Sequence, residues 1–258
     1  MSEPVLLSIE DGVALATLNR PEARNAIDDA TRDALGAILE EVAGDSGARA
    51  LVVTGAGTAF CAGGDIKAMQ QRLQAAVGQV AANGWRRQRR IHHVLDALHG
   101  LEKPTIAAVN GAAAGLGCDL ALCCDFILAS EAASFSMSYG LRGLVPDGGG
   151  LYFLPRRVGL PRAKELIFSA RRVGAEEALA MGLADRLATP DDLLADAKRW
   201  ALELTPGSAI ALAMAKSILD RGFELSPEEV FALGSEAQAI CYTTDEHRQS
   251  VDAFLKKT

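Results

Sequence analysis

Ala50-Leu51-Val52-Val53-Thr54, closed by Gly55-Ala56-Gly57, is a continuous apolar run that ends in a glycine turn. A strand with one wet face alternates polar and apolar residues. A run without alternation is covered on both faces, as in the sheet of an α/β protein. Upstream, residues 5–9 and 13–18 are β-rich runs joined by Glu10-Asp11-Gly12, which reads as a hairpin. Leu35, Ile38, Leu39 and Val42 then fall at the spacing that lines one buried helix face. Downstream, a polar helical stretch over 66–98 leads through Lys103-Pro104 into a strand at 105–109, a glycine-rich turn, a short helix and a further strand at 125–128. Strand, turn and helix recur at moderate intervals, which predicts an α/β body over 1–190 of stacked β-rich units packed with helices. After Asp191 the strands stop. Helical segments at 193–204, 209–219 and 227–239 predict a C-terminal helical region over 191–258, continuous with the body because no low-complexity linker intervenes.

Composition narrows the classes. With 258 residues and 49% apolar content the chain buries a full core without disulfides or metals, and intrinsic disorder is excluded. A net charge of −7 argues against a nucleic-acid binder that works by overall charge. Cys61, Cys118, Cys123, Cys124 and Cys241 are odd in number and lack C-x-x-C spacing, so reduced thiols in a cytoplasmic protein are expected. The N-terminus shows no secretory signal, and the apolar stretch 105–129 is interrupted by Asn110, Asp119 and Asp125, which makes it core rather than a membrane span. Arg86, Arg87, Arg89 and Arg90 with His92 and His93 form a basic helical stretch, read as a solvated face or a subunit contact, with attraction of a ligand's anionic phosphates as the sharper alternative.

Familiar cofactor motifs fail. Gly55-x-Gly57 and Gly115-x-Gly117 meet Phe60 and Leu120 where a dinucleotide fingerprint needs its third glycine. No glycine precedes a lysine, no G-x-S-x-G or H-E-x-x-H occurs, and the four histidines lack a carboxylate framework for a metal. No metal and no separate cofactor are therefore expected. What remains is a pair of loops, each directly after a strand: Phe60-Cys61-Ala62-Gly63-Gly64-Asp65-Ile66-Lys67, and Asn110 through Gly115-Leu116-Gly117-Cys118-Asp119. Glycine-rich strand ends let backbone N–H groups turn toward a ligand, and two converging donors make an oxyanion hole. From spacing alone the plainer reading is favoured, that both are tight turns in a compact sheet.

These two loops, with Gly143-Leu144-Val145-Pro146-Asp147-Gly148-Gly149-Gly150, Gly182-Leu183-Ala184-Asp185 and the opening Asn19-Arg20-Pro21-Glu22-Ala23-Arg24-Asn25-Ala26, closely resemble the crotonase (enoyl-CoA hydratase/isomerase) family. The resemblance runs from about Leu6 to Lys257. It implies a stacked ββα spiral core, a C-terminal helical region used to form a homotrimer or a dimer of trimers, and an acyl-CoA thioester substrate. By position it makes the amides of Gly64 and Leu116 the oxyanion donors. Relatives commonly carry glycine at the second position, and the leucine side chain stands to crowd the acyl group. Ala62, Asp65, Ile66, Lys67 and Arg24 match coenzyme A contacts, and Phe254 and Lys257 match positions that reach a neighbouring subunit's ligand.

The acid and base depart from the pattern. The family's hydratases use two glutamates, whereas this chain has Asp119 at the first position and Tyr139 at the second. A phenol with a pKa near 10 is a poor proton shuttle at neutral pH. Asp147 occupies a site where some relatives place a working aspartate. A single carboxylate can take a proton from one carbon and return it to another, so isomerisation of an enoyl-CoA is favoured over hydration, with Asp119 and Asp147 as candidate proton carriers. The plainer alternatives are that Asp147 caps its turn, that Asp119 serves first-turn helix electrostatics, and that Tyr139 is a pocket wall. A rival from another class is a non-catalytic RNA-binding or assembly relative, suggested by the arginine stretch.

Overall fold

The computed structural model describes residues 3–256. β1 (Val5–Glu10) and β2 (Val13–Leu18) pair antiparallel, with Asp11 and Gly12 at φ 50° and 83°. Two residues of positive φ make the turn whose twist matches its flanking strands. α1 (Asp29–Gly44) starts at Asp28, whose carboxylate accepts the Thr31 amide at 2.8 Å, and it buries Leu35, Ile38, Leu39 and Val42. Each such side chain removed from water contributes roughly 1.5–3 kcal/mol, so packing of this face holds the helix.

From there the chain climbs in repeated turns. Each turn gives one strand to a first sheet, one to a second, and then a helical segment. The first turn is β3 (Ala50–Gly55), β4 (Ala59–Cys61), α2 (Ile66–Arg72) and α3 (Val77–His99); the second is β5 (Thr105–Val109), β6 (Ala112–Ala114) and α4 (Leu116–Leu122). The third is β7 (Phe126–Ser130), β8 (Ser134–Ser136), α5 (Gly150–Val158) and α6 (Leu160–Ser169), followed by β9 (Val173–Gly174), α7 (Ala175–Ala180) and β10 (Arg186–Ala188). The first sheet runs β1-β2-β3-β5-β7-β10 and the second β4-β6-β8-β9. Within each, the spiral strands are parallel, with β4 beside β6 and β6 beside β8. That stacking brings the loops leaving β4 and β6 together.

β3 is buried at all six positions, as its unbroken apolar run requires. Leu51 and Val53 face the larger core, whereas Ala50 and Val52 face a second cluster with Leu193, Ala197 and Trp200. Those three belong to α8 (Leu193–Glu203), so the helical region that begins after 190 contributes its first helix to the sheet's outer face. α9 (Ala209–Leu219), α10 (Pro227–Cys241) and α11 (Asp245–Leu255) bury no residue within the chain. Lys216 of α9 reaches Asp125 at 2.8 Å, and Asp125 also accepts the Thr105 amide at 2.8 Å, tying α9 to the start of β5. The helical stretch over 66–98 is two helices, parted at residues 73–76.

Candidate active site

Register decides the geometry. β4 pairs with β6 through Ala59–Ala112 and Cys61–Ala113, so the two glycine loops leave adjacent strand ends. Contact there is close enough to exclude side chains. A Cβ on Gly117 would lie 2.1 Å from the Cys61 carbonyl oxygen, and one on Gly63 would lie 2.7 Å from the Ala114 oxygen and 3.4 Å from the Leu116 nitrogen. Gly63 also holds φ +94°, a conformation that costs glycine nothing.

Neighbouring amides in these loops are spent on the protein. Ile27 N–H donates to Gly63 O (2.8 Å), Asp65 N–H to Ile27 O (3.0 Å), and Gly115 N–H to Ser136 O (2.8 Å). Among the described residues the amides of Gly64 and Leu116 have no protein acceptor. Both residues border one cavity of about 140 Å³, as do Ala62, Ile66, Tyr139 and Asp147. Leu116 is 8% exposed, and its Cδ1 lies only 2.7 Å from where a Gly148 Cβ would sit. The bare backbone of Gly148 therefore makes room for this leucine side chain.

The two aspartates are placed differently. Asp147 is half-buried on the cavity wall, with His92 Nε2 at 3.3 Å from its Oδ2. Its carboxylate accepts no backbone amide among the described residues, so the turn stands on main-chain bonding, Asp147 N–H to Val145 O at 2.8 Å. Asp119 is fully buried behind the wall and does not line the cavity. Its Oδ2 accepts the Tyr139 hydroxyl, and its Oδ1 is buried without a partner. Gly148 and Gly150 close over it, for a Cβ on either would come within 2.6 Å of a carboxylate oxygen.

Burial pushes the Asp119 carboxyl up to about 7; the Tyr139 hydroxyl draws it back, Asp147 adds to the rise, and the nearby Gly148 and Gly150 amides oppose it. The Tyr139 hydroxyl is itself driven up by burial and by Asp119, so it stays protonated and donates. An unfolded aspartate titrates near 4. Between about pH 4 and 7 the folded chain therefore keeps a proton that the unfolded chain has released, and stability falls as pH rises through that window. Asp119→Asn is expected to flatten the dependence, with Tm changing less from pH 5 to 8 than in the parent chain. Thermal melts across that range check it; an unchanged slope would assign the titration to another group.

The expected coenzyme contacts scatter. Ala62 and Ile66 edge the cavity, and Lys67 is exposed beside them on α2. Arg24 is exposed, and its carbonyl accepts the Ala62 amide at 2.9 Å. Asp65 is occupied structurally, capping α2 through the amides of Lys67 (2.9 Å) and Ala68 (3.2 Å) and pairing with Arg20 at 3.1 Å. Although burial raises its carboxyl, the Ala68 amide, Arg20 and the Lys67 amide together hold it below the usual carboxylate range. Phe254 lies exposed on α11, away from the cavity lining, and Lys257 lies outside the described residues.

Other lining residues have no role assigned by a motif, and three of them fall within 70–93, the stretch from which the sequence leads one to expect pocket-forming residues. Arg87, Gln88 and Ile91 of α3 border the cavity, with Met69 of α2 and Leu144 from the loop before Asp147. Ile91, Val94, Leu95 and Leu98 form the buried face of α3, and stepping that face back one turn lands on Arg87 and Gln88. Among the described residues no group of three or more His, Cys, Asp or Glu could hold a metal ion, and no helix is long and apolar enough to cross a membrane.

Two parallel stacks wound as one spiral, with unspent amides where consecutive turns meet, define the crotonase fold. A family model described as enoyl-CoA hydratase/isomerase matches residues 8–258. The short-chain-enoyl-CoA hydratase of Clostridium acetobutylicum is 35% identical over 254 residues, 98% of this chain and 95% of that one. The 1,2-epoxyphenylacetyl-CoA isomerase of Escherichia coli is 33% identical over 257 residues, 100% of this chain and 97% of that one. A crystal structure of an enoyl-CoA hydratase/isomerase from Cupriavidus metallidurans superposes with a TM-score of 0.91 at 35% identity, over 99% of this chain and 94% of that one. The chain belongs to the enoyl-CoA hydratase/isomerase family of enzymes.

Proposed function

We propose that the chain moves the double bond of an enoyl-CoA thioester. The observation that carries this reading is the cavity wall: among the described residues Asp147 is the one carboxylate lining it, beside the unspent amides of Gly64 and Leu116. In a 3-enoyl-CoA, the Asp147 carboxylate takes a proton from C2. The electron pair spreads onto the thioester oxygen, where the two amides stabilise it. Asp147 then returns the proton to C4, giving the 2-enoyl-CoA with no change of formula. Hydration by paired carboxylates finds less support, because Tyr139 stands at the second glutamate position and Asp119 is sealed behind it.

Coenzyme A enters as part of the substrate and no separate cofactor is required. The exposed cations Arg24 and Lys67, beside Ala62 and Ile66, suit its phosphates. Exposed Leu219, Phe223 and Phe231, on and between the outer helices, support assembly as a homotrimer or a dimer of trimers.

Incubation with 3-enoyl- and 2-enoyl-CoA followed by mass measurement tests the reaction. We expect the 3-enoyl thioester to become the 2-enoyl isomer at constant mass. Gain of one water by most of the 2-enoyl substrate, without isomerisation, would establish hydration instead.

A further inference from the structure

A plain alkyl enoyl chain asks for apolar walls, and Ile66, Met69, Ile91 and Leu116 supply them. α3 nevertheless turns Arg87 and Gln88 to the same cavity. Arg87 is half-buried and has no hydrogen bond or ion-pair partner among the described residues. The carboxylates whose charge it feels are already engaged, Asp29 by Arg32 (2.7 Å) and Arg72 (3.3 Å), and Asp147 by His92 (3.3 Å). Burial and then the nearby Arg72 charge loosen its hold on its proton. Gln88 Oε1 is likewise buried without a partner. An amide turned over about its last bond would offer Nε2–H in that place. Cations and amides left unpaired on a cavity wall are costly, and a ligand anion removes the cost.

We infer that Arg87, helped by Gln88, anchors a carboxylate at the far end of a short acyl chain, so that the preferred substrate is the coenzyme A thioester of a dicarboxylic acid. A planar guanidinium suits this task because its fork matches a carboxylate edge to edge. Shortness follows from the cavity, whose 140 Å³ is well under the roughly 300 Å³ at which drug-sized sites begin. The inference rests on the reading of this cavity as an acyl-CoA site, but not on which reaction follows.

Calorimetry with saturated ligands, which bind without turning over, tests it on the full chain. Glutaryl-CoA is expected to bind about tenfold more tightly than butyryl-CoA. Arg87→Leu should bring the two to parity, and Arg87→Lys should keep an intermediate preference. Equal binding of both thioesters by the parent chain overturns the proposal. So does an Arg87→Leu variant that weakens glutaryl-CoA, butyryl-CoA and free coenzyme A by one common factor, since the guanidinium would then serve the coenzyme phosphates. A glutaryl preference without any enoyl-CoA turnover would sink the isomerase reading and leave this one standing. Isomerisation without the preference would do the reverse.

Discussion

Asp147→Asn is expected to lower enoyl-CoA turnover by about three orders of magnitude, on the order of 4 kcal/mol of barrier. Asparagine copies the shape of the carboxylate but cannot take the C2 proton. The turn that carries residue 147 is held by its own main chain, Asp147 N–H to Val145 O at 2.8 Å, and an amide can still face His92. Loss of turnover would therefore report lost chemistry rather than a displaced loop. Binding of a saturated acyl-CoA, measured alongside, should stay within a few-fold of the parent. Turnover within tenfold of the parent would remove Asp147 from proton transfer and return attention to the Tyr139–Asp119 pair.

Gly117→Ala tests the other half of the site. The new methyl would lie 2.1 Å from the Cys61 oxygen and 2.7 Å from the Cys61 Cβ, and neither atom belongs to a flexible side-chain end. β4 is buried, so the relief must come from α4 moving away from β4. That movement carries the Leu116 amide away from Gly64. Loss of one oxyanion donor typically costs a factor of about 10²–10³ in kcat. Overpacking adds about 1–3 kcal/mol of destabilisation, which lowers Tm by several degrees in a chain of this size. Gly78→Ala serves as the control, because a Cβ there meets nothing within 4 Å. Full kcat in Gly117→Ala would mean that the Leu116 amide holds no charge in the reaction.

Much of this was legible in the chain itself, for identifiable reasons. The 50–54 run lacks alternation because both faces of β3 are covered, one by the larger core and one by α8. Asp11-Gly12 marks the hairpin because both residues take positive φ. The strands β4, β6 and β8 were not legible: at three residues each they are too short to show a period, and 112–114 read as part of a turn. Nor was the burial of Asp119. Its place in the first turn of α4 was readable, but its cover comes from Gly148 and Gly150, some thirty residues on, through the absence of side chains. Arg87 was submerged in a run of four arginines, three of which are exposed. Composition describes the run, whereas the helical face fixes which member turns inward. Burial of Cys61 and Cys124 pushes each thiol up to about 12, in keeping with cysteines chosen for packing.

Gly64 and Leu116 stand 52 positions apart, and what joins them is the docking of one coil of the spiral on the next. Pairings of such long sequence separation form late, because loop-closure entropy is lost before the contact rewards it. On refolding from denaturant, helical signal should thus return ahead of enzymatic competence, and a nascent chain released before its second coil would carry half a trap for negative charge and no means of using it.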